Sequence, residues 1–420
     1  TVGIVLINGA GLTSRLILLF TVPTLSDDVY RYLWDGYVAN QGVSPYQFPI
    51  DSPQLDYLDV PIRALANHSW MASPYFPAAQ WFFASVTGLL PLRPLSMQIA
   101  GVSVDLINVG LIVYLLGLAG LPARRLLIYF WNPLVVVEVA HGAHVDVWMI
   151  CLTLSAVALA YMPATAQLSR FARWLSPLVL ALATLTKILP ILLSPVFFWR
   201  WNWPQRVIFA LTLMLVLLPP GLRAGWGISG ELDGHGLFAA LRIYGNQWNY
   251  NSGLFHWLEI GLHEYGGLDP DVALQWAKRT IGLVMFLVLV WTWWRGRTVE
   301  RSRTALRLMT VPLMGYVVLT PTFHPWYLLL LLAFVPYLTP TADEEQAVRW
   351  PVLGWLWPAP WLYLSGALSL SYLTYRDPLD LREFEWVRQS EWIPTLFLLL
   401  LAIGYSVWRK VDRPSYSTNG

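Results

Sequence analysis

Charged residues are scarce in this sequence: they make up 12% of its 420 residues, against about 25% in ordinary soluble domains. Cysteine is almost absent, because only Cys151 occurs, within an apolar run, and this excludes a disulfide framework or a cysteine-based metal site. The formal net charge is only +2, with the basic residues scattered, so no nucleic-acid partner is indicated. By contrast, 56% of the residues are hydrophobic and 24 are tryptophan, which is favoured at membrane–water boundaries. The composition therefore predicts an all-α, polytopic membrane protein in a lipid bilayer.

Apolar runs recur along the whole chain. A transmembrane helix needs about 20 apolar residues, and by that measure the pattern predicts about twelve spans. The first run is interpreted as a retained span, because no basic segment with a small-residue cleavage site is seen. The predicted spans are Val2–Val22, Ser96–Ala119, Arg125–Ala140, Val147–Tyr161, Trp174–Thr186, Ile188–Trp199, Arg206–Gly221, Thr280–Trp294, Ala305–Thr320, Trp326–Leu338, Trp350–Leu370 and Ile393–Trp408. The fifth and sixth are interpreted as half-length helices that turn near Lys187, since basic residues flank the pair on both sides.

Positive charge alternates between the loops that join these spans. Cytoplasmic loops carry the excess of Lys and Arg, so the pattern predicts a plasma-membrane protein with both termini in the cytoplasm. The predicted cytoplasmic basic residues are Arg124, Arg125, Arg170, Arg173, Arg200, Arg206, Arg295, Arg297, Arg301, Arg303, Arg307, Arg349, Arg409, Lys410 and Arg413. Residues 1–420 are then one membrane domain whose long loops, 23–95, 222–279 and 371–392, face the other side. Pro53–Asn67 and Tyr75–Leu90 are predicted to be interfacial helices.

Two adjacent carboxylates, Asp27 and Asp28, follow the first span in the segment SDDVYRYLWDG. Carboxylates at membrane depth are costly unless they have a function, and one held beside a hydroxyl can act as a general base. The alternative is a helix N-cap, because the segment opens a polar helix over Val29–Asn40. Asp35, further along that helix, is interpreted as structural.

The segment VEVAHGAHVDVW clusters four ionisable residues at the external end of the third span: Glu138, His141, His144 and Asp146. They are candidates for contacts to a sugar, an acceptor or a phosphate, and the alternative is a polar helix end whose groups bond to one another. Imidazole and carboxylate also suit several divalent ions. The spacing matches no standard metal site. A divalent cation, Mg²⁺ or Mn²⁺, is therefore kept only as an alternative.

Three further segments carry polar residues on the same predicted side. Lys187 is an isolated cation in an apolar stretch, which indicates either a phosphate contact or a lysine reaching the interface. The loop RIYGNQWNYNSGLF offers amides and aromatic faces that suit a hydroxyl-rich ligand, although an ordinary interfacial loop is also rich in Trp. Its candidate residues are Arg242, Asn246, Trp248 and Asn249. His324 and Tyr327 begin the tenth span, where a proline-broken helix start favours anions or is simply a helix start.

With these residues in view, the chain resembles the GT-C superfamily of integral-membrane glycosyltransferases, which use polyprenyl-phosphate-linked sugars. Four pieces carry the resemblance: SDDVYRYLWDG with GVSPY beyond it, WNPLVVVEVAHGAHVD, LTKILPILLSP and FHPWYLLLL. The chain looks most like bacterial mannosyltransferase-type members, and its SPY and WYL pieces are similar to the glycosylphosphatidylinositol mannosyltransferase catalytic subunit. The adjacent Asp pair departs from the Asp-x-Asp pattern of that enzyme.

The resemblance implies a catalytic aspartate in the first external loop, assigned to Asp27 with Asp28 as the alternative. It also implies a lipid-phosphate site, assigned to Lys187, Arg242 and His324, with Tyr327 and Arg31 beside them. The expected activity is inverting transfer of a hexose, in the first instance mannose, from polyprenyl phosphate to a lipid or glycan hydroxyl on the extracytoplasmic face. The rival interpretations are a transporter or lipid flippase, which usually carries midplane charges and repeats, and a non-catalytic assembly subunit.

Overall fold

The computed structural model describes residues 2–163, 169–228, 234–340, 351–375 and 382–411, and over these ranges the protein is all-helical, as predicted. The α-helices, numbered α1 to α17 in chain order, cover Val2–Leu18, Asp28–Asn40, Pro77–Leu89, Pro94–Leu118, Leu127–Phe130, Pro133–Val136, Asp146–Tyr161, Ser169–Thr184, Ser194–Arg200, Trp203–Ala224, Ala239–Gln247, Leu254–Ile260, Pro270–Gly296, Ser302–Leu319, Leu329–Phe334, Ala359–Ala367 and Glu385–Val411.

Shorter helical turns join these helices. The 3₁₀ turns cover Pro53–Leu58, Pro61–Leu65, Ala123–Leu126, Leu189–Leu193, Pro325–Leu328, Val335–Leu338, Pro351–Trp355 and Leu368–Tyr375, and π turns cover Val137–His141 and Gly261–Tyr265. Arg349, Arg413 and the start of the predicted span at Trp350 lie outside the described residues.

Long apolar helices fit a membrane protein. Within the described ranges, α4, α10, α13 and the Glu385–Trp408 part of α17 are long and apolar enough to cross a bilayer, and a fifth span results if the bent pair Pro133–His141 and Asp146–Tyr161 counts as one. Only 6% of the apolar window of α10 is buried inside the protein. An apolar surface of that size requires a lipid or protein cover.

The expectation of about twelve spans exceeds this number because several predicted spans are short or broken. The apolar helices at 171–184, 189–200 and 325–338 are below full spanning length. The predicted span Arg125–Ala140 is interrupted at Trp131 and Asn132, because Pro133 lacks a backbone N–H and restricts the residue before it. Asn132 then caps the next turn, accepting a hydrogen bond of 3.0 Å from the backbone of Leu134.

The break predicted near Lys187 is present. Helix α8 ends at Thr184 and helical structure resumes at Leu189, so Lys187 lies in a break between two apolar segments that are each shorter than a full-length span. Two of the predicted external loops are shorter than expected, because α13 already begins at Pro270 and α17 at Glu385. Residues 376–381 of the last loop lie outside the described part.

Several of the predicted basic loops in the described part of the chain meet at one end of the molecule, here called the basic end. The hydroxyl of Ser302 donates to the Leu118 carbonyl at 2.6 Å, and Arg125 donates to the Thr339 carbonyl at 3.1 Å. The guanidinium of Arg297 lies 5.7 Å from the Trp199 ring, beside Arg200.

The opposite end, here called the site end, contains Asp28, His144 and Lys187. Helix α7 connects the two ends, since it begins at Asp146 beside Lys187 and ends at Tyr161 beside Arg200. Its 16 residues span about 24 Å, which is comparable to the hydrocarbon thickness of a bilayer.

The first helix is anchored by a buried ion pair that the apolar pattern of Val2–Val22 did not indicate. Arg15 and Asp105 are both 0% exposed, and Nε of Arg15 lies 2.7 Å from Oδ2 of Asp105. The guanidinium also donates to the Phe130 carbonyl at 2.8 Å, and the Tyr129 hydroxyl donates to Asp105 at 2.6 Å. Close approach needs Gly11, because a Cβ there would lie 2.4 Å from the Phe130 ring. The pair therefore joins α1, α4 and α5.

The first loop forms a compact layer over the site end. Helices α2 and α3 pack with the rings of Tyr32 and Phe83 stacked at 4.6 Å. The predicted interfacial helix Pro53–Asn67 is instead two 3₁₀ turns, whereas α3 falls within the predicted Tyr75–Leu90. Asp35 is structural, since its carboxylate accepts hydrogen bonds from Arg31 at 3.0 Å and Gln80 at 3.1 Å.

Candidate active site

The aspartate pair is held by a single amide from the first loop. Nδ2 of Asn67 lies 2.8 Å from Oδ1 of Asp27 and 2.8 Å from Oδ1 of Asp28. Asp27 occupies the N-cap position of α2, but its side chain makes no capping hydrogen bond. The N-cap alternative therefore does not explain this carboxylate.

The two carboxylates differ in environment. Asp27 is exposed, and Asp28 is half-buried with 17% of its side chain exposed. Although the Asp27 side chain is exposed, the surrounding protein removes part of its hydration, and this raises its pKa; the Asn67 hydrogen bond opposes the rise, and the Asp28 charge adds to it. Burial also acts to raise the pKa of Asp28, but His144, Asn67 and Lys187 outweigh it and hold that pKa below 3.8. Neighbouring carboxylates whose pKa values are pushed apart are typical of catalytic sites.

His144 lies between two carboxylates. Its Nδ1 is 3.7 Å from Oδ2 of Asp28, and its Nε2 is 3.1 Å from Oε2 of Glu138. The hydroxyl of Tyr372 donates to the other oxygen of Glu138. His144 is 0% exposed and Glu138 is 1% exposed. The imidazole is thus enclosed between the two carboxylates, with Glu138 and Tyr372 on the side away from Asp28.

A tight bend in the chain produces this arrangement. The π turn Val137–His141 is followed by Ala143 at a φ of +54°, and the His144 N–H donates to the Glu138 carbonyl at 3.0 Å. Gly142 is required in the bend, because a Cβ there would lie 2.8 Å from the His144 ring. The bend reverses the chain before α7, which returns toward the basic end.

Lys187 and Asp146 form an ion pair beside these groups. Nζ of Lys187 is 2.7 Å from Oδ2 of Asp146 and 5.0 Å from the centre of the Tyr327 ring. Asp146 is fully buried at the start of α7, and Lys187 is 16% exposed. An ammonium group has three donors, so the contact with Asp146 leaves capacity for an anionic ligand.

Four stacked rings connect the second long loop with His144. Tyr250 stacks on His324 at 4.7 Å, His324 on Trp326 at 4.6 Å, and Trp326 on His144 at 4.1 Å. Burial chiefly lowers the pKa of His324, to about 3, so this imidazole is neutral at physiological pH.

Backbone pairing fixes the loop end of this ring column. Tyr250 donates to the Pro321 carbonyl at 3.1 Å and accepts from the Phe323 N–H at 2.8 Å. Trp248, two residues earlier, lies 5.0 Å from the His68 ring and 6.5 Å from the His324 ring. The aromatic part of the predicted sugar loop is therefore close to the site.

Other predicted site residues have structural contacts instead. Arg31 does not face the cluster: it is buried against Asp35, and its remaining nitrogens donate to the carbonyls of Asn67, His68 and Met71, each at 3.2 Å. His141 bonds to Thr21 at 2.7 Å through Nδ1. These contacts engage both side chains within the protein, and the phosphate role of Arg31 and the sugar role of His141 stay predictions.

The predicted polar residues of the second loop are likewise bonded within the protein. Arg242 donates to the Gly227 carbonyl at 3.0 Å. Asn246 donates to the Arg242 carbonyl at 2.9 Å, and Asn249 donates to Glu259 at 2.9 Å. The described contacts bring Trp248 next to His324, and the roles of Arg242, Asn246 and Asn249 stay predictions.

Sequence reasoning missed several members of the cluster. Asn67 and His68 form a polar dipeptide in the first loop, and the φ of +49° at His68 is unusual for a residue other than glycine. Tyr372 is 234 positions from Glu138, and no local pattern indicates such a pair. Among the described residues, no three His, Cys, Asp or Glu side chains are arranged to hold a metal ion.

Comparison with known families supports a glycosyltransferase, and more narrowly a mannose-transferring one. Residues 16–203 match the family model described as Alpha-(1->6)-mannopyranosyltransferase, N-terminal domain. The match covers somewhat less than half of the chain, including Asp28, His144 and Lys187, whereas His324 and Tyr327 lie beyond it. Comparisons with curated proteins and with solved structures gave no match.

Proposed function

We propose that this protein is an inverting mannosyltransferase of the GT-C type. It transfers a hexose, in the first instance mannose, from a polyprenyl-phosphate carrier to a hydroxyl group of a lipid or glycan acceptor. The observation that carries the proposal is that a carboxylate, Asp28, 3.7 Å from His144, and a cation, Lys187, 2.7 Å from Asp146, lie at the same end of an apolar helical protein. The match to a mannosyltransferase family model supports the choice of sugar.

Asp28 takes the proton of the acceptor hydroxyl while the acceptor oxygen bonds to the anomeric carbon. The bond between that carbon and the phosphate oxygen breaks, so the carbon becomes oxocarbenium-like. The lipid phosphate leaves with its negative charge, so it needs little protonation, and one carboxylate serves where glycosidases use two. Lys187 stabilises the charge that develops on the phosphate. Sequence reasoning placed Asp27 first, but the exposure of Asp27 and the contacts of Asp28 favour Asp28.

Sugar recognition falls to the aromatic groups of the second loop. A hexose needs an apolar platform for its ring face and hydrogen bonds around its edge. Trp248 supplies a platform next to His324, and the neutral imidazole of His324 suits a sugar hydroxyl better than a charged ring would.

The proposed orientation places the site on the extracytoplasmic face and both termini in the cytoplasm, with about twelve passes between the faces. This orientation is supported by the basic end, which lies opposite to Asp28 and contains the contacts made by Arg125, Arg297 and Ser302. Cytoplasmic loops hold the excess of basic residues. The shorter segments then pass through the interior, where neighbouring helices satisfy their broken backbone.

The deciding experiment incubates the purified protein in lipid nanodiscs with a panel of polyprenyl-phosphate hexoses and a lipid and glycan extract. Mass analysis should find one added hexose, with mannose the preferred donor, and NMR should find an inverted anomeric configuration. Arms with EDTA, Mg²⁺ and Mn²⁺ test the open question of a divalent cation. Solute or lipid transport in proteoliposomes without product would contradict the proposal and favour a transporter.

Replacement of Lys187 by Met is expected to lower kcat/KM by about 10²- to 10³-fold, because the leaving phosphate loses its electrostatic support. Arg at the same position should recover part of the rate, since it keeps the charge. The matched control is Arg279→Met, which removes an exposed cation from the same end of the molecule. Equal losses in the two variants would indicate a general charge effect and not a phosphate contact.

The pH profile distinguishes the two aspartates. If Asp28 is the base, transfer should persist as pH falls and be lost only below 3.8, because the pKa of Asp28 is lowered. If Asp27 is the base, the loss should occur above 3.8, because the pKa of Asp27 is raised. The measurement is kcat/KM against pH, with each sample returned to neutral pH to verify that it has not unfolded.

A further inference from the structure

A cavity lies at the basic end of the molecule. Its volume is about 320 Å³, and it is lined by Arg173, Trp174, Arg200, Trp201, Asn202 and Gln205, together with Ala160. These residues come from the end of α7, the start of α8 and the junction of α9 with α10. The length of α7 separates this cavity from Asp146 and Lys187, so it is not part of the candidate active site.

The cavity is a built feature of the fold. Asn202 and Gln205 form a capping box, in which Asn202 accepts from the Gln205 N–H at 3.1 Å and Gln205 accepts from the Asn202 N–H at 3.0 Å. Gln205 also donates to the Arg173 carbonyl at 2.8 Å, which ties α10 to α8. The indole of Trp201 donates to the Ser176 hydroxyl at 3.2 Å.

The chemistry of the lining selects an anion. Two arginines line the cavity, and none of the seven lining residues is acidic. Nε of Arg200 donates to the Ala160 carbonyl at 2.9 Å, and its guanidinium lies 4.9 Å from the Tyr161 ring. A guanidinium has five N–H donors in a planar fork that suits phosphate oxygens, and this contact occupies one of them while fixing the plane.

The adjoining surface indicates that the anion carries an apolar tail. Helix α10 leaves the cavity with large apolar side chains exposed at Leu211, Met214, Leu215 and Leu218, which are 44%, 54%, 58% and 38% exposed. Their spacing places them on one stripe of the helix. Trp174 and Trp201 lie in the lining, and indoles are favoured where a membrane meets water.

We propose that this cavity binds the phosphate of an anionic phospholipid, with the acyl chains against α10. Basic pockets between helices on the cytoplasmic side are suited to such head groups. The site is separate from the Lys187 contact and does not depend on the proposed transferase activity.

Native mass spectrometry of the detergent-purified full chain tests the proposal with phosphatidylglycerol, phosphatidylcholine and inorganic phosphate as probes. One phosphatidylglycerol should be retained, in preference to phosphatidylcholine. The variant R173Q/R200Q should weaken its binding by at least about tenfold, whereas R295Q/R301Q, which removes two exposed charges outside the cavity, should not. Equal loss in both variants, no loss in either, or inorganic phosphate binding as tightly as the lipid would overturn the proposal.

A second measurement needs no variant. Phosphatidylglycerol should raise the unfolding temperature of the unmodified protein, because a ligand that binds only the folded state stabilises it. Phosphatidylcholine at the same concentration should raise it less. An equal rise with the two lipids would contradict a phosphate-selective site.

Discussion

Asn in place of Asp28 should reduce kcat/KM for mannose transfer by about 10²- to 10⁴-fold, the usual contribution of a general base. The substitution keeps the size of the side chain and an oxygen that can accept from Asn67, so the fold should be retained. It removes the charge that faces His144 and Lys187. Binding of the lipid-linked donor, measured by titration, should change little, because the donor phosphate is assigned to Lys187.

The neighbouring Asp27→Asn variant is the matched control. It removes an equal charge one residue away and likewise keeps an oxygen that can accept from Asn67. We expect a loss of less than about tenfold, since a surface carboxylate contributes little electrostatic energy. The reverse order, an inactive Asp27→Asn variant and an active Asp28→Asn variant, would restore Asp27 as the base. Full activity of both variants would reject a catalytic role for the pair.

Met in place of Arg15 should destabilise the protein by about 3–5 kcal/mol, because it leaves Asp105 charged and buried without its partner. The expected readout is a lower unfolding temperature in detergent and a smaller yield of folded protein. The exposed residue Arg223 gives the control, since Arg223→Met removes a charge without uncovering a buried one.

The double variant Arg15→Met with Asp105→Asn tests the cause of that loss. Removing both charges should recover part of the stability, because the neutral amide is less costly to bury than an unpaired carboxylate. Tyr129 can still donate to the amide oxygen. If the loss of stability in the double variant equalled the sum of the losses in the two single variants, Arg15 and Asp105 would not interact. That result would contradict the buried ion pair.

The sequence predicted the features that depend on composition and short-range pattern. The all-helical class followed from hydropathy, and the break around Lys187 followed from basic residues on both sides of a stretch too short for two full spans. Four residues were assigned from the sequence to the external ends of their predicted spans, and the structure places them close together: Asp28, Glu138, His144 and Lys187.

Long-range pairing was not predictable in this way. A single charged residue changes the mean hydropathy of a long apolar run very little. Hydropathy therefore did not indicate Arg15, although its ion pair with Asp105 attaches α1 to the rest of the protein. Arg31 was predicted to bind phosphate because the neighbouring sequence does not show that its guanidinium donates hydrogen bonds to carbonyls of the first loop. Among the described residues fewer full-length spans occur than the twelve predicted, because Pro133 and the π turn break helices whose composition alone is apolar enough; the number of passes stays a prediction.

The ring column has a mechanical consequence for turnover. Tyr250, His324, Trp326 and His144 are in direct contact, and packed aromatic groups deform little. A displacement of Tyr250 is therefore expected to move His144, which lies 3.7 Å from Asp28. On the proposed assignment of Asp28 as the base, an acceptor that contacts the second loop would thereby change the position of the base.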